Sequence, residues 1–520
     1  MNHIRRGFCL LLWICFTHAV YGAEPVNPDS ALVTVLAEIA GQPLSLSEAV
    51  EAALAQSTSV QIARAQLGAA RGVVQRERGD FDPEAFVELK RTGDDQPTAS
   101  PFSGATVLKQ DETSAQAGVR FRLPIGTELE ASMLTIRQES NSNFTALNPR
   151  YNTVGSVRFR QPLLEGFGVT GRADLLAAER QLDAAQARHD NVVFSVRAQV
   201  ARMYWNLYAF ERNLAVQMLV RVQAEVLLNG ARLRAKAGLV GPNEVANAQV
   251  FLAEQQLAAL DREEALDGIS DDLAAFIGLR PDADVRFHPI HKPPREFDLA
   301  KVDDVVADAV SKNIALKAFR ADTEVLKTLA RSADREKLPT VDLLVALGGA
   351  GLSGTGQDVV FGADTTRATA TGGYGDALSQ VLKGDFPKWE VGVSMKIPIG
   401  NRKDRGEAHR LRAEVARADQ VYVGAVRDLE TQVRAEYRVL EHGAERLAVA
   451  REGVAAAQEQ VRIGLIEYRN GQTTAFELAR LGADFARAQT RYSQALVRMA
   501  TAAARLQYLT SGQHPGVGGN

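Results

Sequence analysis

The stretch from Arg172 to Gly238 constrains this chain most, because it contains no proline and has the pattern of one unbroken helix. Apolar residues recur along it at alternating spacings of three and four, as in a helix packed on another helix in coiled-coil fashion. One such set is Val193, Val196, Val200, Met203, Leu207, Phe210 and Leu214, and a second set on another face is Ala198, Ala201, Trp205 and Tyr208. At 1.5 Å per residue the helix would be roughly 100 Å long. Neighbours on two sides are therefore expected, as in a wall of helices.

The N-terminal residues 1–22 have the features of a secretory signal peptide. Arg5 and Arg6 precede an apolar core from Phe8 to Phe16, and small residues follow it. A membrane anchor is the alternative, but this core is too short to span a bilayer. We therefore expect an exported protein.

Composition excludes several function classes. Both cysteines, Cys9 and Cys15, lie in the signal segment, so the mature chain is expected to have neither disulfides nor thiolate metal sites. The net charge of -3 leaves no excess of basic residues for nucleic-acid binding. No later stretch approaches about 18 uninterrupted apolar residues, so a transmembrane helix is not predicted, and any membrane insertion would be as a barrel.

Residues 84–162 change from helical periodicity to strict alternation, with apolar and charged residues on opposite faces. A soluble sandwich would turn the apolar face to a core, whereas an outer-membrane barrel would turn it to lipid. Alternation alone leaves both open. Four strand segments are predicted, at 84–91, 114–123, 128–138 and 153–161.

The pattern of the first half then recurs, which indicates an internal repeat. Leu54 matches Val310 and Pro83 matches Pro339 in an ungapped comparison. A second long helix is predicted at 404–470. The second copy shows two clear strands, separated by a Gly- and Thr-rich loop over 348–388. The predicted organisation is a signal peptide at 1–22, an irregular lead-in at 23–44, a first repeat at 45–278, a Pro-rich linker at 279–300, a second repeat at 301–512 and a tail at 513–520.

Several segments together resemble the TolC-like outer-membrane efflux proteins, also called outer membrane factors. These are Leu46 to Val50, Gln161 to Gly168 at a strand-to-helix junction, Ala237 to Val240 with Glu244-Val245 and Ala248-Gln249, and Arg462 to Glu477. The resemblance rests on the order, spacing and duplication of these segments, and it covers essentially the whole mature chain. The resemblance implies an α+β membrane protein, in which a long α-helical barrel continues an outer-membrane β-barrel of twelve strands. It implies two structural repeats per chain and three protomers sharing both barrels.

The resemblance also implies partners and sites. A homotrimer in outer-membrane lipid would work with a periplasmic adaptor protein and an inner-membrane pump, without nucleic acid. Gly238 and Gly471 match hairpin glycines that adaptors contact, and Leu239, Gly241 and Asn470 adjoin them. Glu477 matches an acidic site of the periplasmic entrance, although a first-turn acid favoured by the helix dipole is the alternative. Arg480 stands where a second acid often occurs.

Other motifs do not point to chemistry. Gly166 to Gly171 is a literal GxGxxG, but the βαβ unit of a dinucleotide site is missing. A second match, from Gly349, is interpreted as a flexible loop. His288 and His291 flank a proline in the linker and are interpreted as surface residues rather than metal ligands. No catalytic residue, cofactor or metal is expected.

The sequence therefore predicts a passive duct rather than an enzyme. It would be the outer-membrane exit channel of a tripartite efflux or type I secretion system, gated at periplasmic helical tips. The alternative is a trimeric coiled-coil stalk or scaffold in the periplasm that transports nothing. Cargo, pump, ion selectivity and the position of the strands at 114–138 relative to a barrel stay open.

Overall fold

The computed structural model describes residues 32–99, 103–168, 170–280, 286–361 and 364–512. The predicted signal peptide with both cysteines and the predicted tail at 513–520 lie outside the described residues.

The described part of the first half contains two long helices and four long strands. In order, its elements are α1 (Val33–Glu38), β1 (Gln42–Leu44), α2 (Leu46–Gln56), α3 (Thr58–Gly79), β2 (Glu84–Pro97), β3 (Val107–Arg122), β4 (Glu128–Ser140), β5 (Leu147–Pro162), α4 (Ala173–Lys236), α5 (Pro242–Phe276) and β6 (Phe287–Pro289). Helix α4 runs for 64 residues without interruption. Its ends lie beside the predicted Arg172 and Gly238.

Among the described residues, the second half has fewer long strands than the first and one more helix. Its elements are α6 (Val302–Lys312), α7 (Ile314–Glu336), β7 (Thr340–Gly356), β8 (Asp358–Phe361), β9 (Asp364–Arg367), α8 (Tyr374–Lys383), β10 (Pro387–Lys396), α9 (Arg402–Glu441), α10 (Gly443–Arg469) and α11 (Ala475–Leu509). Across the part of the chain that the structure describes, no helix is both long enough and apolar enough to cross a membrane.

Several helices are interrupted at single residues, and one interruption, at His442, falls within the helix predicted over 404–470. Ser57 and Asn313 have an extended backbone. The buried Asn313 amide donates to the Leu509 carbonyl at 2.8 Å, so a tertiary contact holds that break. After the break at His442, Gly443 packs against Met499 so closely that a Cβ there would lie 2.7 Å from the methionine Cγ.

The chain forms two compact units, and each draws on both predicted repeats. One unit comprises Arg64–Arg188 and Ala315–Ala425 and contains the large sheet. The other comprises the described residues within Met1–Ala63, His189–Ile314 and Val426–Asn520 and contains the helical hairpins. We call them the strand unit and the hairpin unit. The division into repeats at 45–278 and 301–512 stays a prediction.

The strand unit is built on a six-stranded antiparallel sheet with the order β10-β7-β5-β4-β3-β2. Four adjacent strands come from the first half of the chain and two from the second. The strands predicted around 114–138 are β3 and β4, and they lie inside this sheet between β2 and β5. They therefore widen the sheet instead of projecting from it.

The two faces of the sheet differ in chemistry. On one face, Glu84, Arg120, Glu130 and Arg158 form a row across four strands, each opposite the next. Arg120 donates to Glu84 at 2.9 Å, so neighbouring charges on this face are paired. On the other face, exposed apolar side chains include Val87, Leu89, Val119, Val157, Leu347, Trp389 and Val391. The side chains in this set are exposed in a single chain.

Helix α8 packs on the sheet where β7 is rich in glycine. A Cβ at Gly351 would lie 2.0 Å from the Ala377 carbonyl oxygen, so only glycine admits the helix this closely. The Gln380 side chain pairs with the Leu352 backbone, accepting from its N–H at 2.9 Å and donating to its carbonyl at 3.1 Å. The prediction of a flexible loop over 348–388, including the second GxGxxG match, is therefore wrong.

In the hairpin unit, α4 is packed on two faces. Val200, Leu207 and Leu214 join the core formed with α2 and α5. Ala201, Trp205 and Tyr208 pack instead with Val497 and Ala500 of α11. Both apolar sets of this helix therefore make packing contacts, which confirms the expectation of neighbours on two sides.

Candidate functional site

The first hairpin turn joins α4 to α5 at Gly238, which has a φ of +73°. Its N–H donates to the Ala235 carbonyl at 3.0 Å, and the Leu239 N–H donates to the Arg234 carbonyl at 2.9 Å. These two bonds make a Schellman motif, in which glycine is preferred because an L side chain disfavours positive φ. Pro242 then starts α5 at its first turn, where its missing N–H costs no hydrogen bond.

The second hairpin turn joins α10 to α11 and has the same backbone construction. Gly471 has a φ of +74°, and its N–H donates to the Tyr468 carbonyl at 3.1 Å. The Gln472 N–H donates to the Glu467 carbonyl at 2.9 Å, which completes a second Schellman motif. Here Thr474 caps the next helix by accepting from the Glu477 N–H at 3.3 Å.

The residues predicted to contact an adaptor all lie on these two turns and are exposed. They are Gly238, Leu239, Gly241, Asn470 and Gly471. Leu239 is the only large apolar side chain among the five and is 74% exposed. The turns therefore present glycine backbone and one leucine to solvent, and a docking role for them stays a prediction.

Glu477 and Arg480 form an ion pair with each other. Both lie in the first turns of α11, three residues apart, with side chains 40% and 59% exposed. The arginine therefore neutralises the carboxylate locally. The spacing of three residues in a helix is a sequence signal that could have revealed this pair.

Arg234 and Tyr468 connect the two hairpins, and the sequence did not reveal this contact. The Arg234 guanidinium donates to the Tyr468 carbonyl at 2.7 Å and lies 4.5 Å from the centroid of its ring. The ring is 8% exposed and packs with Leu227, Phe251 and Leu478. Burial raises the pKa of the Tyr468 hydroxyl. One aromatic side chain thus holds four helices together near the turns.

A buried polar contact holds the linker against α4. Nδ1 of His288 pairs with Glu211, a residue that is 3% exposed. Burial raises the pKa of the Glu211 carboxyl, and the hydrogen bond from His288 opposes that rise. Tyr204 donates to the Leu44 carbonyl at 3.1 Å and accepts from the His291 N–H at 3.0 Å. The His288 side chain is 36% exposed, and its partner Glu211 is 77 residues away in sequence, so the sequence pattern did not reveal this contact.

Comparison with known sequences gives one family. The sequence model of the outer membrane efflux protein family matches residues 128–279 and 305–512. CyaE of Bordetella pertussis is 27% identical over 171 residues, which is 33% of this chain and 36% of that protein. The match thus spans little more than a third of this relative's length.

Solved structures share the fold over nearly the whole chain. The outer membrane protein VceC of Vibrio cholerae is 16% identical with a TM-score of 0.63, over 90% of this chain and 96% of that one. The CmeC outer membrane channel of Campylobacter jejuni is 12% identical with a TM-score of 0.63, over 91% of this chain and 87% of that one. Because the sequence identities are this low, the structural likeness shows a common fold alone.

Proposed function

This chain belongs to the outer membrane efflux protein family, and we propose that it is the outer-membrane exit duct of a tripartite efflux or type I secretion system. The family is one of transport channels rather than enzymes. The sheet of the strand unit carries the proposal, because one face has paired charges and the other has exposed apolar side chains. Transmembrane strands need such a division, with lipid on one side and water on the other.

Three copies would close the barrel. The six-stranded sheet ends at β2 and β10, whose outer backbone groups need partners in lipid. Joining β2 of one copy to β10 of the next pairs both edges. Three sheets of six strands make eighteen strands, where the resemblance implies twelve. Because barrel diameter grows roughly linearly with strand number, the pore would be about one and a half times as wide.

The helical hairpins would form the periplasmic gate. A periplasmic adaptor coupled to an inner-membrane pump would dock on the exposed turns at Gly238 and Gly471. In the described conformation, Arg234 of the first hairpin binds Tyr468 of the second. Opening would separate the hairpins and break this contact, as in other hinged transitions between two packed states.

Membrane fractionation and single-channel recording test the duct against a periplasmic stalk. We expect the full-length protein in the outer membrane, extractable only with detergent, and conducting in planar bilayers. Recovery in the soluble periplasmic fraction would support the stalk instead. A variant that joins Pro97 to Leu147 by a short turn removes β3 and β4 and should lower the conductance, because the barrel would then have twelve strands.

The entrance assignment has its own test. If Glu477 helps to set ion preference, Glu477→Gln should reduce cation selectivity measured from reversal potentials. Glu459→Gln is a matched control, because Glu459 also pairs with an arginine three residues along its helix. Unchanged selectivity in Glu477→Gln would count against the pore role.

A further inference from the structure

Helix α11 carries a line of arginines along one face. Arg491, Arg498 and Arg505 are spaced by seven residues, which is two helical turns, so successive guanidinium groups lie roughly 10 Å apart along the helix. All three side chains belong to exposed residues. We call these three residues the arginine track.

Two adjoining clefts of the hairpin unit open onto this track. The first has a volume of about 680 Å³ and is lined by α10 and α11. The second has a volume of about 720 Å³ and lies among α4, α5, α9 and α11. Gln494 and Arg498 line both clefts, so the clefts are contiguous along the helix.

The clefts carry a large excess of positive charge. Other helices add Arg446 to the first cleft and Arg202 and Arg262 to the second. The two clefts together have six arginines and two carboxylates, Glu445 and Glu436. Six cations cannot be neutralised by two acids, so the lining attracts anions.

The arginines of the clefts are mostly unpaired. Within the described ranges, only Arg505 of the six forms an ion pair, with Glu436 at 3.1 Å. Arginines outside the clefts commonly have carboxylate partners, and Arg286 binds both Asp267 and Glu263. Free guanidinium groups that converge on a cavity offer planar, bidentate donors to carboxylate and phosphate groups.

Polar groups of the second cleft also lack partners. The Thr501 hydroxyl and the Asn213 side-chain oxygen are buried, and neither has a hydrogen-bond partner among the described residues. Both residues line the cleft. Buried polar groups are normally satisfied, so these two indicate that the cleft holds a polar solute or water. Burial raises the pKa of the Glu436 carboxyl, and Arg505 and Arg498 oppose that rise.

We propose that the two clefts form a binding site for anionic solutes, and that the cargo of the duct carries carboxylate, phosphate or sulfonate groups. The proposal rests on the duct function for its transport part, but the binding site stands on the hairpin unit alone. Convergent positive charge in a concave site raises the local concentration of anions, which favours their capture and passage.

Binding of pyranine, a fluorescent dye with three sulfonate groups, tests the site on the detergent-solubilised full-length protein. Fluorescence anisotropy should show saturable binding that weakens as salt increases, because exposed charges are screened. The double variant Arg498→Gln, Arg505→Gln should bind the dye at least about tenfold more weakly, since each substitution removes a charge-assisted hydrogen bond to a sulfonate group. The charge-conserving pair Arg498→Lys, Arg505→Lys should retain most of the binding.

The control removes the same charge elsewhere. Arg462→Gln, Arg487→Gln eliminates two arginines that pair with Glu459 and Asp484 outside the clefts, and it should bind the dye as the parent does. Equal binding by the track variant and this control would overturn the proposal. Dissociation of the native oligomer in the track variant, seen by native mass spectrometry, would also overturn it, because the track would then pair with carboxylates of a neighbouring copy.

Reversal potentials separate the site from the duct. In planar bilayers the track variant should shift selectivity towards cations, and the Arg462, Arg487 control should not. If the track variant conducts normally but its selectivity does not shift, the inference about the cargo would be overturned, whereas the binding site and the duct function would stand. Absence of conductance in the parent protein, with dye binding preserved, would instead defeat the proposed function.

Discussion

The two hairpin turns have the same backbone and different side chains. Gly238 and Gly471 adopt the same left-handed conformation, and the N–H groups of each glycine and of the residue after it donate the same pair of hydrogen bonds to the preceding helix. Six residues further on, Glu244 and Glu477 occupy equivalent positions, but only Glu477 has an arginine beside it. Among the described residues, Glu244 forms no ion pair. Backbone geometry is therefore common to both turns, whereas capping and charge are particular to each.

This difference assigns distinct tasks to the hairpins. The first exposes Leu239 and keeps an unpaired carboxylate at Glu244, and the second is capped by Thr474 and locally neutral. Arg234 from the first hairpin then reaches Tyr468 in the second. Mutations can test separately whether the two backbone turns are equivalent and whether their side chains have different effects.

The largest effect should follow loss of the contact between the hairpins. Tyr468→Ala removes a buried ring from its packing with Leu227 and Phe251, and we expect it to destabilise the closed hairpins by about 3 kcal/mol. Hydrogen exchange of the amides near Gly471 measures the local opening. Tyr468→Phe keeps the ring and should cost far less. Equal exchange in the two variants would mean that packing does not hold the hairpins.

The backbone equivalence predicts equal costs at the two glycines. Gly238→Ala and Gly471→Ala should each destabilise their turn by about 1–2 kcal/mol, because both force an L residue into the left-handed region. Gly453→Ala, at an exposed position inside α10, should instead stabilise by up to about 1 kcal/mol, because alanine is the better helix former. Denaturant unfolding compares the three. A clear difference between the two turn variants would contradict their equivalence.

Capping should distinguish the turns by a smaller amount. Thr474→Ala removes the hydroxyl that accepts from the Glu477 N–H and should cost about 1 kcal/mol. Gly241 caps α5 without a side-chain hydrogen bond, so Gly241→Ser should change stability by only a few tenths of a kcal/mol. The same unfolding assay serves both variants. A larger loss at Gly241 would show that the first turn depends on its cap as much as the second.

The exposed ion pair should contribute least to stability. Glu477→Gln is expected to cost at most about 0.5 kcal/mol, since pairs at this spacing on helix surfaces are screened by water. Glu244→Gln should likewise cost at most about 0.5 kcal/mol, because that carboxylate has no ion-pair partner in the described ranges and is stabilised by the exposed N-terminus of its helix. In bilayers, however, Glu244→Gln should reduce cation selectivity more than Glu477→Gln does. The opposite order would mean that Arg480 does not neutralise its neighbour.

Local patterns in the sequence identified the parts of the fold that depend on periodicity. The ends of α4 and the two turn glycines follow from helical spacing and from the need for positive φ, both of which are local. The breaks at Ser57 and Asn313 have no proline or glycine to signal them. The break at Asn313 is held by a contact with a distant residue, the hydrogen bond from its side chain to Leu509.

The contacts of the candidate site are likewise of two kinds, those that a local sequence pattern could predict and those that join distant residues. The spacing of Glu477 and Arg480 could have predicted their pairing, because side chains three apart on a helix are neighbours. The contacts from Arg234 to Tyr468 and from His288 to Glu211 join residues 234 and 77 positions apart, so no local pattern contains them.

By itself, the sequence determined the alternation of the strands, the length of α4 and the positions of both turns, because side-chain periodicity and glycine conformation act over a few residues. Only the tertiary structure decided how those elements are combined. It placed β3 and β4 within one six-stranded sheet and seated α8 on the glycines of β7. It also brought the arginines of four helices around two clefts. These features depend on which distant surfaces meet, and packing rather than periodicity settles that.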